Sequence, residues 1–171
     1  MNLVLASESK RRQQLLKLLN INFKVSPSNI DESKIIKNNY KPNLLCEKLA
    51  YLKAEKVKHL YPNDIIIGGD TIVVIKNEIL GKPTSKDDAL KMLKKLNNRP
   101  HSVITGISIQ CKIKNISHTF HEITNVTFKK ITKQDIEYYI EKCQPYDKAG
   151  SYGIQDWSAI FVKKIDGCFY N

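Results

Sequence analysis

Residues 64–75 constrain this chain more than any other stretch. Ile65-Ile66-Ile67 and Ile72-Val73-Val74-Ile75 are apolar, β-branched runs, with Gly68-Gly69-Asp70-Thr71 between them. Runs of that kind suit a central strand covered on both faces, which demands a sheet with other elements packed against it. The interruption is as informative as the runs. An unpaired buried carboxylate costs several kcal/mol, so Asp70 points to a group held for a purpose, as a general base or a metal ligand. The alternative is a bulge in which local N–H groups satisfy Asp70. The two glycines would let something approach the backbone closely.

The remaining pattern supplies what such a strand needs. Residues 2–6 read as a short buried strand and 9–19 as a helix, with Leu15, Leu16, Leu18 and Leu19 inward and Asn20 as its C-cap. Phe23 to Ser26 resembles a second strand, followed by a polar loop from Pro27 to Asn39. Pro42 suits the first turn of a helix running to about Leu60. Lys76-Asn77-Glu78 is a turn, and Thr84 or Ser85 caps a helix carrying Leu90, Leu93 and Leu96. Val103 to Ile113 and Ile116 to Lys129 read as long strands joined at Lys114-Asn115. Thr132 caps a helix through Ile136, Tyr139 and Ile140. A polar loop from Gln144 to Gln155 follows, then a strand from Ala159 to Ile165. Asp166-Gly167 is a hairpin signal, with the chain stopping inside the return strand. At 171 residues the chain fits one domain.

Charge and motifs narrow the chemistry. Lysine plus arginine is 28 against 17 acidic residues, a net charge of +11. That suits nucleic acid, a membrane surface or phosphorylated small molecules. The cations are scattered, however, with no aromatic-interleaved basic stripe, so the partner must be argued from a site. No apolar run approaches the ~20 residues of a membrane span, and the start lacks a signal peptide's features, so a cytoplasmic protein is expected. Cys46, Cys111, Cys143 and Cys168 are far apart and show no zinc-ligand spacing. His118 and His121 fall on opposite faces of a strand, which argues against a metal pair. No Walker A sequence, GxGxxG or HExxH occurs.

Ser7-Glu8-Ser9-Lys10-Arg11-Arg12 lies where a strand meets a helix, a natural anion seat. Basic residues are disfavoured at a helix N-terminus unless an anion offsets them, which favours phosphate over a merely solvated turn. Gly81-Lys82-Pro83 restricts where one ammonium points. Asp147-Lys148-Ala149-Gly150-Ser151-Tyr152-Gly153-Ile154-Gln155 is a dense mix of charge, small residues and a closing amide. Either could equally be an ordinary surface loop.

These segments together resemble the Maf family of nucleoside triphosphate pyrophosphatases, from Leu3 to Asn171. The motifs that carry the resemblance are Leu5-Ala6-Ser7-x-Ser9-x-Arg11-Arg12, Leu49-Ala50-x-x-Lys53-Ala54, Gly69-Asp70-Thr71-Ile72-Val73 and Gly81-Lys82-Pro83. Thr105-Gly106, Thr124-x-Val126-x-Phe128 and the segment from Asp147 to Gln155 complete the set. The last is similar to the branch that hydrolyses dTTP and UTP. The resemblance implies an α/β fold with a mixed central sheet flanked by helices, two lobes with a substrate cleft, and one Maf-like domain over 1–171. Relatives usually continue past the final hairpin into a further helix. It also implies a nucleoside triphosphate split between its α- and β-phosphates with a divalent metal cation, Mg²⁺, Mn²⁺ or Co²⁺.

By the same resemblance Asp70 is the proton acceptor, and Arg11, Thr71 and Gln155 match specificity positions. Ser7, Arg12, Glu32, Lys53, Lys82 and Lys148 match other polar cleft positions; on chemical grounds Ser7, Arg12, Lys53, Lys82 and Lys148 are expected to bind phosphate and Glu32 to join Asp70 on the metal. Asp156 stands where the family commonly has Gly, which puts a negative charge beside the expected base pocket. A homodimer stays open, as do two other readings: a catalytically weakened nucleic-acid-binding protein, and a pyrophosphatase for modified nucleotides.

Overall fold

The computed structural model describes residues 1–36 and 40–171. Seven strands are found among them, hydrogen-bonded in the order β2-β1-β3-β5-β6-β7 with β4 against β3. β1 (Leu3–Leu5) runs parallel to both β2 (Phe23–Val25) and β3 (Ile65–Ile75), pairing Leu3 with Phe23 on one side and Ile65 on the other. β4 (Glu78–Leu80) pairs antiparallel with β3, Val73 opposite Leu80. β5 (Pro100–Cys111) and β6 (Ile116–Phe128) follow, and β7 (Val162–Asp166) lies antiparallel to β6. The sheet is therefore mixed, as expected.

Three of the helices begin at a side-chain cap. In α1 (Lys10–Leu18) the Ser9 hydroxyl accepts the Arg12 N–H. α2 is a single short turn (Ser33–Ile36), and α3 (Pro42–Lys58) opens on its proline. α4 (Lys86–Leu96) is capped by Ser85, with Asp87 and Asp88 in its first turn and Lys94 and Lys95 in its last, matching the helix dipole. α5 (Lys133–Cys143) carries a reciprocal capping box between Thr132 and Asp135.

The chain forms two compact units. The first comprises Met1–Asp70, Thr105–Glu122 and Tyr170; the second comprises Thr71–Ile104, Ile123–Phe169 and Asn171. In the first, Val4, Ala6, Ala54, Val57 and Ile66 form a small core of sheet and α3 side chains. Gly68 and Gly106 make this contact close. A Cβ on Gly68 would lie 2.2 Å from the Ala50 carbonyl oxygen, and one on Gly106 2.4 Å from that of Cys46. In the second unit, Leu93, Leu96, Phe128, Ile136, Tyr139, Ile140 and Phe161 are among the residues packed between α4, α5 and the strands.

Several expectations need correction. β3 runs from Ile65 to Ile75 through Gly68-Gly69, so Asp70 lies within the strand. Leu18 and Leu19 are exposed, and α1 has no fully buried residue; its C-cap is Leu19, with Asn20 next in the left-handed region. The loop expected from Pro27 to Asn39 contains α2, and its last three residues lie outside the described residues. Ala159, Ile160 and Phe161, expected to begin a strand, belong to a 3₁₀ turn over Trp157–Phe161. Its cap is the Asp156 carboxylate, which accepts the Ser158 N–H and so favours helical winding over extension. No return strand follows Asp166-Gly167. Instead the Thr124 hydroxyl donates to the Cys168 carbonyl, and the Asn171 amide reaches the Val103 carbonyl and the Thr124 hydroxyl.

Candidate active site

In the first unit, four segments bring five of the expected residues together. Asp70, on β3, is buried, and the Lys53 ammonium from α3 sits 2.6 Å from its Oδ1. The same ammonium lies 2.8 Å from Glu32 Oε1 just before α2, so one cation bridges two carboxylates. Arg12 Nη1 donates to the Ser7 hydroxyl at 3.0 Å, and that hydroxyl also accepts the Ser9 N–H. A Cβ on Gly69 would meet Arg12 Nε at 3.1 Å, so the guanidinium lies across bare backbone beside Asp70. The glycine pair thus admits the chain's own helix at Gly68 and its own arginine at Gly69.

The electrostatics of this group are those of a guarded base. Burial pushes the Asp70 carboxyl above its usual range, while Lys53 and then Arg12 pull it back. Glu32 adds a smaller push upward. Burial lowers the Arg12 guanidinium, and Asp70 opposes that most strongly. Arg11 is half-exposed in the same first turn of α1.

The donor set also fits a divalent cation. The Lys53 contacts use one oxygen on each carboxylate, Oδ1 of Asp70 and Oε1 of Glu32. One or two carboxylates, completed by water and substrate phosphate oxygens, is the usual protein share of a Mg²⁺ site. Among the described residues no cluster of three or more metal-ligating His, Cys, Asp or Glu side chains is found, so the protein's share of such a site would be these two carboxylates. The His121 Nδ1 lies 2.6 Å from Glu47 Oε1, and His118 stacks loosely beside Phe120.

The second unit holds Thr71, Lys82, Lys148 and Gln155. Thr71 is half-buried on β3, next in sequence to Asp70. Lys82 is exposed, and its neighbour Gly81 accepts the Gly150 N–H at 2.9 Å, which ties the two loop segments together. Lys148 Nζ lies 2.9 Å from Asp147 Oδ1 and 3.6 Å from Asp156 Oδ2. Gln155 is exposed, its Nε2 donating to the Phe169 carbonyl at 3.4 Å.

Two residues not singled out from sequence, Ser158 and His101, hold this loop. The buried Ser158 hydroxyl accepts the Gly153 N–H and lies 2.8 Å from the Gly153 carbonyl and 2.9 Å from Asp156 Oδ1. His101 Nε2 lies 2.7 Å from the Tyr152 hydroxyl, and both rings pack edge-on against Phe128. Gly150 and Ser151 both adopt positive φ, at 63° and 64°. The spacing Asp156-x-Ser158 is a short cap signal and was legible; nothing in sequence marks His101.

Comparison with known proteins follows the same lines. The model of the family described as Maf-like protein matches residues 2–171. The dTTP/UTP pyrophosphatase of Thermosipho africanus is 48% identical over 171 residues, covering 100% of this chain and 85% of that protein. Those of Bacillus pumilus and Clostridioides difficile are 43% and 42% identical, covering 99% and 100% of this chain and 87% of each relative. Among solved structures, the Staphylococcus aureus Ham1 protein shares the fold, with a TM-score of 0.51 at 18% identity over 75% of this chain and 72% of that one.

Proposed function

This chain belongs to the Maf-like protein family, and on that premise we propose that it hydrolyses dTTP and UTP to the nucleoside monophosphate and pyrophosphate. Water attacks the α-phosphorus, the bond from that phosphorus to the bridging oxygen breaks, and pyrophosphate departs with the bond's electron pair. The observation that carries the reading is the buried Asp70 carboxylate under the Lys53 ammonium, on a strand that otherwise carries only apolar and small residues.

The proposed roles follow from that geometry. Asp70 takes the proton of the attacking water, because burial makes it more basic than an exposed aspartate while Lys53 keeps it ionised. Lys53 also holds Glu32 in register with Asp70. Asp70 and Glu32 would hold a divalent cation, Mg²⁺, Mn²⁺ or Co²⁺, which when bound supplies Lewis-acid polarisation of phosphoryl oxygens. Ser7 and Arg12 offer donors to phosphate oxygens at the strand-to-helix junction, with Arg11 adding charge to a helix start that favours anions.

Lys82 and Lys148 are assigned to the polyphosphate, where they offset charge developing on pyrophosphate. Gln155 and Thr71 are assigned to the base. One Nε2 hydrogen of Gln155 goes to Phe169, so its second hydrogen and its Oε1 match the O4 and N3–H of thymine and uracil. The four cysteines are free thiols, which supports a cytoplasmic setting. No described helix is long and apolar enough to cross a membrane.

The test is pyrophosphate release from dTTP, UTP, CTP, ATP and GTP, and from modified triphosphates, with each of the three metals. Preferential turnover of dTTP and UTP is expected. A purine or CTP preference would refute the base assignment.

A further inference from the structure

We infer that Lys148 preserves base specificity by masking the charge of Asp156, an inference that rests on Gln155 reading the base as proposed above. Asp156 directly follows Gln155, and its two oxygens do different work. Oδ1 accepts the Ser158 N–H at 3.4 Å and lies 2.9 Å from the Ser158 hydroxyl. Ser158 in turn closes on Gly153 from both sides, through its N–H and its carbonyl. The six residues 153–158 are therefore stitched into one turn with Gln155 in the middle. Oδ2 faces the Lys148 ammonium at 3.6 Å, and Lys148 is itself mostly buried, its side chain 19% exposed.

The consequence is a sign-specific device. Uracil and thymine present a carbonyl at position 4, and cytosine presents an amino group there. An unmasked carboxylate next to Gln155 would repel the first and attract the second. With Lys148 on Oδ2, the turn offers the Gln155 carboxamide as its recognition group and the charge of Asp156 is spent locally. Lys148 thereby acts on base choice as well as on phosphate, through Asp156.

The experiment is a two-residue cycle read as a ratio. kcat/KM is measured for UTP and CTP in the parent, in Lys148→Met and in Lys148→Met/Asp156→Asn. In parallel, calorimetry gives Kd for UMP and CMP, with a melting curve on each protein. The UTP:CTP ratio is expected to fall about tenfold in Lys148→Met, because a like-charged juxtaposition has been exposed. It is expected to return to within about threefold of the parent in the double variant, whose neutral Asn still caps Ser158. A purely structural or phosphate-only role for Lys148 would lower both substrates together and leave the ratio unmoved in both variants. An unmoved ratio, or a fall that Asp156→Asn does not reverse, overturns the inference. So does a parent that binds UMP no better than CMP. A parent that binds UMP selectively yet releases no pyrophosphate instead overturns the proposed activity alone.

Discussion

Replacing Lys53 with methionine tests the central arrangement most directly. The substitution keeps the stem but deletes the charge that sits 2.6 Å from Asp70 and 2.8 Å from Glu32. At that distance and an effective dielectric of about 20, the attraction to Asp70 is about 6 kcal/mol before desolvation. Stranding one partner of a buried pair costs about 3–5 kcal/mol once desolvation is included. Glu32, whose side chain is 43% exposed, relaxes into water and adds no more than about 1 kcal/mol. At about 2–4 °C per kcal/mol for a chain of this size, the melting midpoint falls by roughly 10 °C.

The pH dependence has a definite sign. The folded state already holds the Asp70 proton more tightly than the unfolded chain, because burial raises its carboxyl. Without Lys53 it holds it more tightly still. A folded state that binds more protons loses stability as pH rises through the window between the unfolded and folded values. The variant's deficit is therefore smallest below about pH 4, where aspartate becomes protonated in the unfolded as well as the folded state, and largest at neutral pH. The acid limb of kcat/KM for UTP shifts upward, since the basic form of Asp70 appears only at higher pH. Adding Asp70→Asn to Lys53→Met restores much of the midpoint but no activity, because no carboxylate is left stranded. A midpoint deficit equal at pH 4 and pH 8 and an unmoved acid limb would refute the reasoning.

Asp70→Asn alone should fold and lose about 10²–10⁴ in rate, measured as pyrophosphate release under saturating UTP. Lys82→Ala should cost about 10²–10³, whereas Lys112→Ala and Lys164→Ala, at exposed positions, should change little in the same assay. Gly68→Ala puts a methyl 2.2 Å from the Ala50 carbonyl oxygen, and should cost about 3 kcal/mol or more in denaturant unfolding. His101 is buried and lowered to about 4, so the unfolded chain takes up its proton first as pH falls. About 3 kcal/mol of stability should then be lost between about pH 6.5 and 4, and His101→Gln should flatten that limb of the melting curve against pH.

What was legible in sequence was what local chemistry dictates. Thr132, and Thr84 or Ser85, marked helix starts because such a hydroxyl satisfies an N–H that the helix leaves open, and of the pair it is Ser85 that does so. The apolar runs around Gly68-Gly69 marked β3 because only a strand covered on both faces has use for them. What was not legible depended on partners distant in sequence. Leu18 and Leu19 have helical spacing but stay exposed, so spacing alone misplaced them. β4 follows a turn in which Lys76 and Asn77 both take positive φ, and lysine gives no hint of that conformation. The run Ala159-Ile160-Phe161 has strand composition, yet the cap two residues earlier outweighs it. At the site, Asp70, Lys53 and Glu32 were each visible, but the bridge that Lys53 makes between the two carboxylates needed three chain segments to converge. The charge of Asp156 was visible in sequence, but its contacts with Ser158 and Lys148 were not.

The seating of α3 on Gly68 and Gly106 carries a consequence for how the first unit opens. Cys46, Ala50 and Ala54 are spaced one helical turn apart, and the two strand glycines receive their backbone at contact distance. A helix lodged that closely cannot detach by shifting side chains, because the groups in contact are main chain. The buried amides of α3 and those of central β3 should therefore exchange with deuterium in a single cooperative event, with the same free energy and the same denaturant dependence. Lys53 rides on that helix and Asp70 on that strand, so their pairing should persist through every fluctuation short of this opening.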